Sequence, residues 1–201
     1  KHPKSWARRF LGADTTVDRA GDILEAFWSR VDDNDPRKRA IAAAYSDVPN
    51  LWRKAVPIRV HGDGVPVTRG RATCENLYWM VFLGEGDLSA KEAKLFVSGL
   101  VSTSVHADTT AIYDSALAWG FSHLLSGEFT KRHVFWEEYE RDSLEWGRRG
   151  KKIAQGHFAV IWVIEGDADW ISKCLKLEHA SSVHPCAWCS CNTLEYGSED
   201  P

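Results

Sequence analysis

Hydrophobic and polar positions along the chain fall into two regimes, a helical one at the start and an alternating, strand-like one from Val56 onwards. Val17, Ile23, Leu24, Phe27, Trp28 and Val31 recur at helical spacing behind Asp14, whose short acidic side chain suits a helix cap. Asp35-Pro36 restarts a second helix through Ala40–Tyr45, since proline's fixed φ fits the first helical position. Residues 1–50 therefore read as a helical lead-in.

Beyond it, Val56, Ile58 and Val60 alternate with Pro57, Arg59 and His61 until Gly62-Asp63-Gly64 interrupts the run, which predicts a first strand with Asp63 at its end. Asn76–Leu83 and Lys94–Thr103 are rich in aromatic and β-branched residues and predict two more strands, continuing the sheet in antiparallel fashion across Gly84-Glu85-Gly86-Asp87. Ser89-Ala90-Lys91-Glu92 has capping-box spacing and competes by offering a helix through Lys94–Val97. A short turn followed by a strand is the favoured reading.

A mostly buried helix is predicted from Asp108 to Gly127, and a charged, more exposed one over Phe135–Trp146. His157–Ile164 is apolar nearly throughout, as a central strand covered on both faces would be, and Gly166-Asp167-Ala168-Asp169-Trp170 closes it before a helix to Leu177. Three strands, a helical section, a fourth strand and a further helix make a mixed α/β sheet.

Composition narrows the classes. The 201 residues suffice for one core with a small appendage, and no apolar run approaches the roughly 20 residues of a membrane helix. A soluble protein with no membrane partner is expected. A net charge of −3 excludes a uniformly basic nucleic-acid module, so contacts with nucleic acid must be local. The basic N-terminal residues have no apolar segment behind them, and the first residue is Lys, so the chain reads as an excerpt of a longer one. Ten scattered tryptophans read mostly as core anchors.

Candidate chemistry lies in two places. Asp63 and Asp167 each follow a strand, and carboxylates at adjacent strand ends can hold a hard divalent cation such as Mg²⁺, as phosphoryl transfer requires. Polar turns are the competing reading, and Asp169 competes with Asp167 for the second role. Further along, His179 and His184 lie beside Cys186, Cys189 and Cys191, and the Cys-x-x-Cys spacing lets two thiolates reach one Zn²⁺. The fourth ligand is open among His184, His179, Cys191 and sequence outside the chain. The odd count of five cysteines suits a metal site and a reducing, intracellular compartment better than a disulfide framework.

On these residues the chain resembles DDE-class transposases, particularly the CACTA-type and the Plavaka, Dileera and Zisupton group, over about Val56–Asn192. Val56-Pro-Ile-Arg-Val-His-Gly-Asp63-Gly-Val-Pro-Val67 looks like the first-strand Asp motif and Val160-Ile-Trp-Val-Ile-Glu-Gly-Asp167-Ala-Asp-Trp170 like the second. His184-Pro-Cys186-Ala-Trp-Cys189 resembles the Cys-Pro-x-Cys segment that follows. The resemblance implies an RNase H-like partial catalytic core over 56–178, with a zinc-binding-like segment and polar tail over 179–201. It implies Mg²⁺ or Mn²⁺ at Asp63 and Asp167, Zn²⁺ at the Cys/His cluster, DNA as partner (transposon ends and target), a nuclear location and room for a homo-oligomer. The family's third acidic residue has no convincing counterpart, since Glu195, Glu199 and Asp200 lie in a polar tail without helical pattern. A non-catalytic, zinc-stapled binding module derived from a transposable element is therefore the alternative. Arg69-Gly70-Arg71, His61, Arg148, Arg149, Lys151 and Lys152 are candidate phosphate contacts, with solvated surface charge the plainer reading of each.

Overall fold

The computed structural model describes residues 6–11, 15–66, 73–83, 95–101, 107–135, 137–166 and 170–171. Helices α1 (Trp6–Leu11), α2 (Val17–Trp28), α3 (Pro36–Ala44) and α4 (Leu51–Lys54) precede strands β1 (Ala55–Pro66), β2 (Thr73–Val81) and β3 (Leu95–Val101). Helices α5 (Ala107–Ser126) and α6 (Leu144–Arg148) then lead to β4 (Phe158–Gly166). The fold is mixed α/β, and the four strands are ordered β3-β2-β1-β4. By compactness the chain divides into Lys1–Arg59 with Met80–Leu95 and Val105–Trp162, and Val60–Trp79 with Phe96–Ser104 and Val163–Pro201.

In the first of these units, α2 buries Ala20, Leu24 and Trp28, spaced four apart on one face. Trp28 also settles its polar edge: its indole Nε1 donates to the Ala55 carbonyl at 2.9 Å, while its ring meets Trp162 edge-on at 5.2 Å between centroids. The α2 cap is Thr16, whose hydroxyl accepts from the Arg19 amide; Asp14, expected in that role, lies outside the described residues. Asp35 caps α3 as expected, with Pro36 behind it, and the neighbouring Arg37 guanidinium holds the Asp35 carboxyl down at about 2.

Lys38 is buried yet fully served. Its Nζ donates to the Trp28 carbonyl at 2.8 Å, the Val31 carbonyl at 2.9 Å and Asp33 Oδ1 at 2.7 Å, closing the carboxyl end of α2. Arg53 pins α4 to α2 through Asp22 and Glu25, each at 2.6 Å. Tyr45 stacks on Phe158 at 4.5 Å, and its hydroxyl donates to the Leu125 carbonyl of α5. Burial pushes the Tyr45 hydroxyl above its ordinary pKa.

Four sequence expectations change, the first being the mostly buried helix from Asp108 to Gly127: no described residue of α5 is buried, and Ile112 is 55% exposed. β1 does not stop at Gly62 but runs to Pro66, so Asp63 stands within the strand. The predicted helix over Phe135–Trp146 is absent among the described residues there, and only Leu144–Arg148 is helical. His133 N–H donates instead to the Glu137 carbonyl, an isolated antiparallel bridge joins Arg132 to Glu138, and Asp142 takes a positive φ that no helix accommodates. Lastly, β4 stands at the end of the strand order rather than centrally, and its burial fades along the strand, leaving Ile161 and Ile164 exposed. The capping-box alternative at Ser89–Glu92 lies outside the described residues.

Candidate functional site

In the second unit, β1 and β4 run side by side in a register that two contacts define. His61 Nδ1 lies 3.9 Å from Glu165 Oε2, and one residue further a Cβ built on Gly166 would stand 2.9 Å from the Gly62 carbonyl oxygen. Both positions advance together along the two strands, so β4 is parallel to β1. β2 is antiparallel to β1, because a parallel partner could not be reached through the short connection 67–72. In the first unit, Phe82, just beyond β2, donates its N–H to the Pro57 carbonyl at 2.8 Å.

The two glycines are there for space. A Cβ on Gly62 would meet the Trp170 indole at 1.7 Å, and one on Gly166 would meet it at 2.6 Å, whereas ordinary carbon contacts begin near 3.5 Å. Neither glycine has a positive φ, so backbone conformation does not require them. Trp170 is buried against the ladder where the two strands meet. Strand alternation puts Gly62 on that face and His61 and Asp63 on the other. Asp63 is half-buried on that second face, and the His61–Glu165 pair is about one-third exposed (31% and 36%).

Of the metal-ligand candidates named from sequence, Asp63 is the one that lies among the described residues. Asp167, Asp169, His184, Cys186, Cys189 and Cys191 lie outside the described residues, as do His179 and Arg69–Arg71. Sequence reasoning read Gly166 and Trp170 as closing the fourth strand, but gave Glu165 no role and did not pair Trp170 with Gly62. The signal was present as a repeated tripeptide: His61-Gly62-Asp63 on one strand and Glu165-Gly166-Asp167 in the other stretch, a charged or polar residue, then Gly, then Asp. Among the described residues no three His, Cys, Asp or Glu side chains converge as a metal-binding group. None of the described helices is long and apolar enough to cross a membrane.

No family model, curated protein or solved structure matches the chain. What it does therefore has to be argued from its own residues.

Proposed function

We propose that the chain carries part of an RNase H-like, DDE transposase-like catalytic core for Mg²⁺- or Mn²⁺-dependent DNA strand cleavage and joining, with Asp63 and Asp167 as two of its carboxylates. The observation that carries this reading is the Gly62–Gly166 contact between parallel neighbours β1 and β4, since each glycine is followed in the chain by one of the two aspartates. Consecutive Cα atoms are about 3.8 Å apart, so each aspartate follows by one peptide a glycine of this neighbouring pair. The strand order β3-β2-β1-β4, with β1 flanked by an antiparallel and a parallel partner, supports the same topology.

The donor chemistry fits the cation. Asp63 offers hard carboxylate oxygens on a half-buried, water-accessible face. A bound Mg²⁺ or Mn²⁺ would activate the attacking water or 3′-hydroxyl and stabilise the leaving oxygen. Asp63 and Asp167 hold the cation in this reading, and the His61–Glu165 pair stands on the same face as Asp63, beside the path of an incoming phosphate. His184, Cys186, Cys189 and Cys191 would supply a zinc staple.

The non-catalytic alternative draws on the polar tail, where Glu195, Glu199 and Asp200 offer no patterned third acid. Manganese titration followed by electron paramagnetic resonance tests the metal, and a plasmid-nicking assay separates the two readings. Asp63→Asn and Asp167→Asn are each expected to weaken Mn²⁺ binding at least about tenfold, which corresponds to about 1.4 kcal/mol. Unchanged affinity in both variants overturns the site, whereas plasmid nicking that Asp63→Asn abolishes excludes the non-catalytic module; a core lacking its third acid is expected to nick poorly or not at all. Cys186→Ser should release zinc while leaving Mn²⁺ binding intact.

A further inference from the structure

The stretch between α5 and β4 carries six cations on a short ladder and the turn it closes. Phe129 N–H donates to the Lys151 carbonyl at 3.0 Å, Gly150 N–H to the Phe129 carbonyl at 2.8 Å, and Ile153 N–H to the Gly127 carbonyl at 2.7 Å, around an antiparallel bridge between Glu128 and Lys152. This short ladder brings Lys131 beside the 148–152 turn, its Cε 3.7 Å from where a Cβ on Gly150 would stand. Gly150 makes the turn possible, with φ at +69°. Trp119 of α5 fixes the other end by donating its indole N–H to the Arg132 carbonyl at 2.8 Å.

Two of the cations are braced by rings. The Arg149 guanidinium lies 3.1 Å from the Trp146 ring centroid and donates to the Trp146 carbonyl, and Arg148 lies 5.8 Å from the Phe129 ring. Lys131, Arg132, Arg148, Lys151 and Lys152 are exposed, and among the described residues none of them, nor Arg149, is in an ion pair with a carboxylate. The acids of the same stretch lie close by without pairing to these cations: Glu128 stands opposite Lys152 and Glu138 opposite Arg132 in the two bridges, and Glu137, Glu138, Glu140 and Glu145 line a cavity of about 490 Å³. Exposed cations held close together and not ion-paired repel one another, and a polyanion relieves that repulsion.

We propose that Lys131, Arg132, Arg148, Arg149, Lys151 and Lys152 form a sequence-independent binding surface for the DNA phosphate backbone. The ladder holds the backbone carrying these side chains in advance of binding, so less order is lost when phosphates arrive. The choice of DNA over other polyanions rests on the function proposed above, but the test does not depend on catalysis.

Anisotropy of a fluorescein-labelled DNA duplex of arbitrary sequence, titrated in EDTA at several salt concentrations, reads the surface directly. The triple variant Lys131→Ala/Lys151→Ala/Lys152→Ala should bind at least about tenfold more weakly at low salt. Its log–log salt slope should be shallower by about 2.7, from roughly 0.9 per lost phosphate contact. The corresponding triple Lys→Arg variant should bind as the wild type does, and Arg30→Ala/Arg39→Ala, removing exposed cations elsewhere, should change neither quantity. Equal affinity and slope in the triple alanine variant overturn the proposal. So does wild-type self-association that the triple alanine variant abolishes without DNA, which would make the surface an interface between copies. Binding to phosphatidylserine vesicles that displaces the duplex would overturn it too. Because EDTA removes the cation, the titration does not read the Asp63 site, and a failed Mn²⁺ site leaves this result standing.

Discussion

Replacing Gly62 with alanine places a methyl group inside the volume of the Trp170 indole. The added Cβ would stand 1.7 Å from Cε2, 2.0 Å from Cζ2 and 2.2 Å from Cδ2. Relief requires the ring to withdraw by roughly 2 Å to reach normal carbon contact. Trp170 is only 8% exposed, so withdrawal means leaving its seat on β1 and β4. Losing the whole burial of a tryptophan, about 150–250 Å² at 25 cal/mol per Å², sets a ceiling of about 4–6 kcal/mol, while ordinary overpacking costs about 1–3 kcal/mol. The expected destabilisation is about 3 kcal/mol, which for a chain of this size lowers the melting temperature by roughly 6–12 °C. Thermal unfolding followed by circular dichroism measures it, and a double-mutant cycle isolates the cause. In a Trp170→Ala background the same Gly62→Ala change should cost less than about 1 kcal/mol, giving a coupling of about 2 kcal/mol. Equal costs in both backgrounds, or a neutral Gly62→Ala, would refute the steric reasoning.

Three other outcomes are expected. Lys38→Met should destabilise by about 2 kcal/mol in urea unfolding, because the Trp28 and Val31 carbonyls lose their shared donor, while the mostly exposed Asp33 returns to water at little cost. Stability should rise with pH through the titration of His157. Burial, and secondarily the nearby Lys54 charge, lower its pKa from 6.5 against an opposing hydrogen bond to the Ala154 carbonyl. The unfolded chain then binds the proton more readily, so the contribution is complete above about 6.5 and is lost as pH falls below it. His157→Gln should flatten that part of the stability–pH curve, and an unchanged slope would exclude His157 as its source. Thr16→Ala should cost about 1 kcal/mol in thermal unfolding by removing the cap of α2, and no measurable loss would show that the cap contributes nothing.

Elements whose signal is local were legible in the sequence. The three-and-four spacing of α2, the Asp-Pro start of α3, the alternation of β1 and the apolar run of β4 each depend on residues within one element, and all four formed. Distant partners decided the rest. Gly62-Asp63-Gly64 looks like a strand end because glycine is common in turns, yet β1 continues, and the demand for Gly62 comes from Trp170, far along the chain. The charged stretch after Phe135 has helical composition, but the Arg132–Glu138 bridge and the positive φ of Asp142 give its backbone other partners. At the candidate site, Asp63 was named from sequence, whereas the His61–Glu165 pairing depends on a strand register that a single sequence does not reveal.

That register divides labour between the two faces of β1. Gly62 and Gly166 give the ladder to Trp170 on one face, while His61 and Asp63 stand on the other, so packing and the proposed cation site use alternate residues of the same strand. The division can be measured. Trp170→Leu removes part of the indole without adding bulk at Gly62, so it should lower the melting temperature, yet leave Mn²⁺ affinity within about twofold when measured well below the transition, because no group on the Asp63 face has been altered. Gly62→Ala should reduce both, since a displaced indole strains the ladder from which Asp63 projects. If Trp170→Leu abolished Mn²⁺ binding in protein shown to be folded, the indole would have to act on the carboxylate face itself, and the two-faced reading of β1 would be wrong.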